Sequence, residues 1–260
     1  MLHHKVIVIT GGSSGVGKAI ALEAAKAGAN VVITGRDEQR LEHVMTSLSA
    51  FNGNHAKYVM DVNDTESVNH VIAEIYKKYE RLDILINNAG YGIFAAIQDL
   101  SVEQYEQMIN TNYLGVVRCT KAVLPIMIKQ KSGHIINVAS LAGMIGNAKS
   151  TSYAATKHAL LGFTNSLRME LRGQPIVVTA INPGPIETPF FDVADPSGKY
   201  LNNIRFMLLQ PEQVARKVIQ VIRTKKAEVN LPKMAGFGLR LYHLCPRLID
   251  KAAGKWLNKK

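Results

Sequence analysis

Short apolar runs rich in β-branched residues alternate with longer stretches of helical period, and this alternation constrains the fold more than any other feature of the chain. The runs are residues 6–9, 31–34, 58–60, 84–86, 134–139, 177–181 and 227–231. Between them, apolar residues recur at helical spacing over 13–26, 37–48, 64–79, 102–108, 114–129, 153–171 and 211–224. The runs are continuously apolar rather than alternating, as in strands buried on both faces, which are found in parallel sheets covered by helices. Right-handed crossovers then give an α/β, doubly wound sheet of about seven strands flanked by helices, with ligands expected beyond the carboxyl ends of the strands. No repeat, low-complexity tract or linker divides the chain, so residues 1–232 read as a single domain and 233–260 as an extension of it. Residues 185–210 break the pattern: they are Pro-rich early and then mixed, and they read as an irregular lid or binding segment.

The loop between the first run and the first helical stretch is Thr10-Gly11-Gly12-Ser13-Ser14-Gly15-Val16-Gly17. Gly11 permits a tight turn, Gly15 lets backbone approach a pyrophosphate, and Gly17 lets the helix pack closely. The helix N-terminus presents N–H groups and a positive dipole end to an anion. Ser13, Ser14 and Val16 complete this candidate phosphate cradle. After the second run comes Thr34-Gly35-Arg36. An acidic residue there would bind the ribose 2′-hydroxyl of NAD, whereas an arginine can clamp a 2′-phosphate. Gly35 removes the acid and Arg36 supplies the fork, which favours NADP(H); the alternative is a surface arginine paired with Asp37 or Glu38. Asp61 and Val62 follow the third run, where Asp61 is either an adenine-side residue or a helix cap.

Tyr153 and Lys157 lie four residues apart on an expected helix, hence on one face. A free tyrosine has a pKa of about 10, and a neighbouring ammonium is expected to lower it and make the phenol an acid/base group at neutral pH. Ser140 lies at the end of the fifth run. The TGxxxGxG loop, Asn87-Asn88-Ala89-Gly90, Ser140, Tyr153-x-x-x-Lys157 and Pro183-Gly184 with Thr188 occur in the order and spacing of the short-chain dehydrogenase/reductase family, which the chain resembles from about residue 5 to 231. The resemblance implies a Rossmann-type fold and hydride transfer between NADP(H) and a small-molecule carbonyl or alcohol. It implies a catalytic set of Asn112, Ser140, Tyr153 and Lys157, in which Ser140 bonds the substrate oxygen and Asn112 holds a water next to Lys157. Asn88, Ala89 and Gly90 would run along the adenosine ribose, Lys157 would bind the nicotinamide ribose, and Pro183, Gly184, Ile186 and Thr188 would face the nicotinamide. A homodimer or homotetramer is implied as well. The complete set argues for an enzyme acting mainly as a reductase over a redox-sensing binding module.

Composition narrows the remaining classes. Two cysteines, Cys119 and Cys245, give neither a disulfide framework nor a zinc site, and the scattered histidines suggest no metal. A reducing, cytoplasmic setting is the expectation, with no secretory pattern and no apolar stretch long enough to span a bilayer. Of the net charge of +11, the residues from Lys233 onward hold seven cations against one acid. Phe237, Leu241, Leu244 and Leu248 recur at helical spacing there, followed by Ile249, Trp256 and Leu257 among lysines. Such a basic amphipathic segment packs on its own domain, on a second subunit, or on an anionic membrane surface. No nucleic-acid motif is present. Ile93, Phe94, Leu141, Met144, Ile145, Phe190, Phe191 and Met207 are candidate pocket residues and suggest an apolar substrate.

Overall fold

The computed structural model describes residues 2–244. Seven strands form one parallel sheet: β1 (Val6–Thr10), β2 (Asn30–Gly35), β3 (Ala56–Val59), β4 (Ile84–Asn87), β5 (Gly133–Val138), β6 (Ile176–Pro183) and β7 (Glu228–Leu231), in the order β3-β2-β1-β4-β5-β6-β7. The central strand pairs on both sides, with Ile7 opposite Val31 on β2 and opposite Ile84 on β4. The order reverses between β1 and β4, and a crevice opens beyond the carboxyl ends of the strands at such a reversal.

The burial of β1 explains its unbroken apolar run. Side chains of a strand alternate between faces. Ile7 and Ile9 join the core formed with α1 (Gly15–Lys26), α2 (Glu38–Leu48) and α9 (Pro211–Thr224). Val6 and Val8 join the opposite core, formed with α3 (Thr65–Tyr79), α5 (Gly115–Gln130) and α6 (Thr151–Glu170). Each fully buried residue of this kind contributes about 1.5–3 kcal/mol by leaving water. The helix starts are equally legible: Asp37 accepts from the Arg40 amide ahead of α2, and Asp64 from the Glu66 amide ahead of α3.

Three elements differ from expectation. The stretch expected at 114–129 is continuous with its predecessor. The helix α4 (Val102–Ile109) runs through a π-helical turn, Asn110–Leu114, into α5. Residues 185–210 are not irregular. They fold into α7 (Phe190–Ala194) and α8 (Lys199–Ile204), because Phe191, Ala194 and Ile204 build a small core of their own with Phe94 and Tyr200. The two ends of this segment are tied by a bridge in which the Leu209 amide donates to the Pro185 carbonyl (2.9 Å) and the Glu187 amide to the Leu209 carbonyl (2.9 Å). Finally, the proposed extension begins as α10 (Lys233–Leu244), directly after β7, and turns its buried Leu239 onto the domain. The side chains of Phe237 and Leu241, and all of Leu248, Ile249, Trp256 and Leu257, lie outside the described residues. No helix among the described residues is long and apolar enough to cross a membrane.

Candidate active site

The glycine loop leaves β1 at the sheet reversal. Gly11 and Gly15 take the left-handed φ values of +64° and +49° that side chains resist. A Cβ on Gly11 would come within 2.9 Å of the Ala89 backbone, and one on Gly17 would collide with the Gly11 carbonyl. Asn88 fastens the loop: its Nδ2 donates to the carbonyls of Thr10 (3.0 Å) and Gly11 (3.2 Å), while the Asn88 and Ala89 amides donate to Thr10 Oγ1. The N-cap of α1, Ser14, makes no side-chain capping bond, and the first turn carries no acid. The amides there are thus left for a bound anion, and the cradle fits a dinucleotide's pyrophosphate.

At the end of β2 a Cβ on Gly35 would stand 3.2 Å from Ser13 Oγ, so this position holds neither a carboxylate nor space for one without movement. Arg36 and Arg40 both line the crevice. The carboxylates that were the alternative partners of Arg36 are engaged elsewhere, Asp37 with Arg40 and Glu38 with Lys57. Asp61 does not cap α3, which is the role of Asp64. It accepts from the Asn63 amide in a tight turn (2.9 Å) and, with Val62, forms part of the crevice wall.

Ser140, at the end of β5, accepts from the Ala142 amide and donates to the Pro183 carbonyl at the end of β6. Tyr153 and Lys157 come from the first turns of α6. The Lys157 ammonium donates to the Val138 carbonyl (3.0 Å) and sits 5.7 Å from the centre of the Tyr153 ring. The expectation that Lys157 lowers the Tyr153 pKa is overturned. Burial pushes the phenol up to about 12, and the opposing influence is a hydrogen bond with Ser140. Burial also brings Lys157 down to about 8. Lys157 is buried and Tyr153 half-buried, and desolvation is the larger influence on both groups. The phenol is protonated at neutral pH, as it would be at its ordinary value of about 10.

Of the expected site residues, all but Gly17 and Asn112 lie on the wall of one cavity of about 1350 Å³ that runs from the glycine loop to Tyr153 and onward. Gly17 sits behind the loop as the point of close approach. Asn112 is fully buried in the π-helical turn, where its Nδ2 donates to the Tyr91 carbonyl (2.8 Å) and Thr156 Oγ1 (3.0 Å), and its Oδ1 accepts from the Tyr91 amide. It holds the Gly90–Tyr91 backbone against α6 rather than bonding within its own helix. Asn87 faces the core instead of the crevice, donating to Asn137 and Thr120. Phe94, Leu141, Ile145, Phe190, Phe191 and Met207 line the cavity as expected, whereas Ile93 and Met144 do not. Sequence reasoning missed Tyr91, Tyr200, Met234, Leu239 and Tyr242 on the same wall.

A family model described as short chain dehydrogenase matches residues 5–197. The 3-oxoacyl-(acyl-carrier-protein) reductase FabG of Thermotoga maritima is 36% identical over 221 residues, which cover 84% of this chain and 90% of that protein. An uncharacterized oxidoreductase of Staphylococcus epidermidis is 38% identical over 192 residues, covering 74% and 82%. Among solved structures, a short chain dehydrogenase/reductase from Burkholderia phymatum in complex with NAD superposes with a TM-score of 0.86 at 25% identity, covering 95% of each chain. An actinorhodin polyketide ketoreductase with NADPH gives 0.81 at 29% identity, covering 90% of this chain and 97% of that one. Agreement of sequence along most of the chain, of sheet order and of the crevice at the reversal has one source: the chain belongs to the short-chain dehydrogenase family of oxidoreductases.

Proposed function

We propose that the protein is an NADPH-dependent reductase of a carbonyl group carried on an apolar molecule. The observation that carries this reading is that Ser140, Tyr153 and Lys157 share the wall of one cavity with the glycine loop. When bound, NADPH would supply the hydride. Tyr153 donates its proton to the carbonyl oxygen as negative charge develops there, and the Ser140 hydroxyl stabilises the same oxygen. Lys157, anchored on the Val138 carbonyl, has donors left for the nicotinamide ribose. Asn112 acts at one remove, fixing the Gly90–Tyr91 backbone and Thr156 of α6. Gly11, Ser13, Ser14, Gly15 and Val16 would cradle the pyrophosphate, and the segment from Pro183 to Thr188 would face the nicotinamide. NADPH is preferred over NADH because Gly35 offers no carboxylate to a free 2′-hydroxyl, while Arg36 and Arg40 offer guanidinium donors to a 2′-phosphate. The relatives named for 3-oxoacyl and polyketide reduction support a carbonyl on an acyl chain as the substrate class.

NADPH oxidation with a panel of 3-oxoacyl thioesters and hydrophobic ketones tests this reading. Tyr153→Phe is expected to lower turnover by about 10²–10⁴-fold while NADPH still binds. Equal turnover by the variant would remove Tyr153 from the reaction. Arg36→Ala should reduce the preference for NADPH over NADH on the order of tenfold or more, since a hydrogen bond to a charged group is worth about 1.5–3 kcal/mol. An unchanged preference would rule out the phosphate clamp.

A further inference from the structure

The cavity that contains Tyr153 opens through a rim of apolar side chains left in solvent. Phe206 (77% exposed), Met234 (78%) and Val193 (53%) all line the cavity and yet are exposed, a combination that occurs at an opening. They come from three separate elements, namely α7, the turn after α8 and the first turn of α10. Inward from the rim the wall stays apolar, through Phe190, Phe191 and Leu239, as far as Tyr153. Single exposed apolar residues need no explanation, but several that frame one opening and continue into an apolar interior mark a place where something other than water meets the protein.

Charge indicates what that is. The rim itself is close to balanced, with exposed Lys199, Arg205 and Lys233 beside Asp192 and Asp195. The sequence beyond α10 is not. The sixteen residues beyond Leu244 carry Arg247, Lys251, Lys255, Lys259 and Lys260 against Asp250 alone, together with Trp256 and Leu257. An apolar rim on a chain that carries a strongly cationic segment matches a partner with an anionic surface and an apolar interior.

We propose that the rim of Val193, Phe206 and Met234 docks on the surface of an anionic bilayer, and that the substrate is a membrane-partitioned long-chain carbonyl that enters the cavity there without crossing water. The substrate half rests on the reductase reading; the docking half stands on the rim and the charge alone.

The test is sedimentation of the full chain with vesicles, which needs no turnover. The protein is expected to sediment with vesicles of equal parts phosphatidylcholine and phosphatidylglycerol, and much less with phosphatidylcholine alone. The double variant Phe206→Ser/Met234→Ser changes two exposed side chains, and its fold is checked by circular dichroism. Its partitioning should fall on the order of tenfold to a hundredfold, given the apolar area it withdraws from the bilayer. A full chain that stays in the supernatant with the mixed vesicles, or a double variant that sediments equally, overturns the proposal. So does light scattering that shows the double variant splitting an oligomer while the wild type ignores vesicles, since the rim would then join two copies of the chain. Tyr153→Phe in the same assay keeps the two readings apart. It should sediment like the wild type whether or not the wild type reduces any carbonyl.

Discussion

In the proposed reaction Lys157 would serve chemistry at the expense of stability. Its ammonium is buried with one carbonyl partner and has a pKa near 8, well below the ordinary lysine value of 10.5. Below pH 8 both the folded and the unfolded chain carry the proton, and the full cost of burying the charge falls on the folded state. Between about 8 and 10.5 the folded state releases its proton first, the unfolded state holds more protons, and stability rises with pH. The shift corresponds to about 3 kcal/mol. Lys157→Met should therefore raise the urea midpoint at pH 7, by about 1–3 kcal/mol of unfolding free energy, while removing activity. The gain should shrink as the pH approaches 10. A destabilised variant at pH 7 would mean that the Val138 hydrogen bond outweighs the buried charge. The pair Tyr153 and Lys157 was legible from spacing. The direction of the tyrosine shift was not, because it depends on burial.

Among the elements, the lid is the one whose nature the sequence concealed. Proline, glycine and mixed polarity over 185–210 read as irregular, yet Phe94, far away in sequence, supplies the surface on which α7 and α8 fold. Its ring lies 5.8 Å from Tyr153, 6.1 Å from Phe190, 6.3 Å from Phe191 and 5.3 Å from Tyr200, mostly edge to face, and its amide donates to the Ala194 carbonyl. Phe94→Ala removes this shared support from both the lid and the Tyr153 ring. The lid is expected to become cleavable between residues 190 and 208 under limited proteolysis, with a loss of about 2–4 kcal/mol in global stability, near the low end for removing a phenyl ring from a core. Unchanged protection of the lid would show that its own core, Phe191, Ala194 and Ile204, suffices. The π-helical turn is a similar case. A five-residue widening at Asn110–Leu114 aims Asn112 at Tyr91, and no local propensity announces it.

Across the whole molecule, the reacting end of the sheet is balanced by a polar clamp at the other end. Asp83 precedes β4 and is buried. One carboxylate oxygen accepts from the Val6 amide (2.9 Å), and Lys5 and Arg81 donate to the group. Burial alone would raise its pKa, but the hydrogen bonds from Arg81 and Lys5 more than offset this and hold the carboxyl below its ordinary value. The stability it confers is present above the unfolded carboxylate pKa, about 4, and is lost as the pH falls through the folded value. Asp83→Asn is expected to cost about 1–3 kcal/mol at pH 7 and to flatten the acid limb of the stability curve. Chemical denaturation from pH 7 down to 3 measures both. An unchanged acid limb would assign acid unfolding to other carboxylates.

The sequence by itself determined the layered architecture, since runs apolar on both faces are stable only inside a parallel sheet, and it determined the glycine loop, whose turn and close contacts depend on residues adjacent in the chain. It also picked out Ser140, Tyr153 and Lys157, which the structure brings to one cavity wall, and Gly35 in place of an acid at the end of β2. What only the tertiary structure decided are relations between residues distant in sequence. Asn87 turned into the core to meet Asn137. Phe94 organised the lid, and Met234, Leu239 and Tyr242 came to line the cavity that Tyr153 faces. Desolvation belongs to the same class: it raises the pKa of Tyr153 and lowers that of Lys157, and it exists only once distant segments have packed around the two side chains.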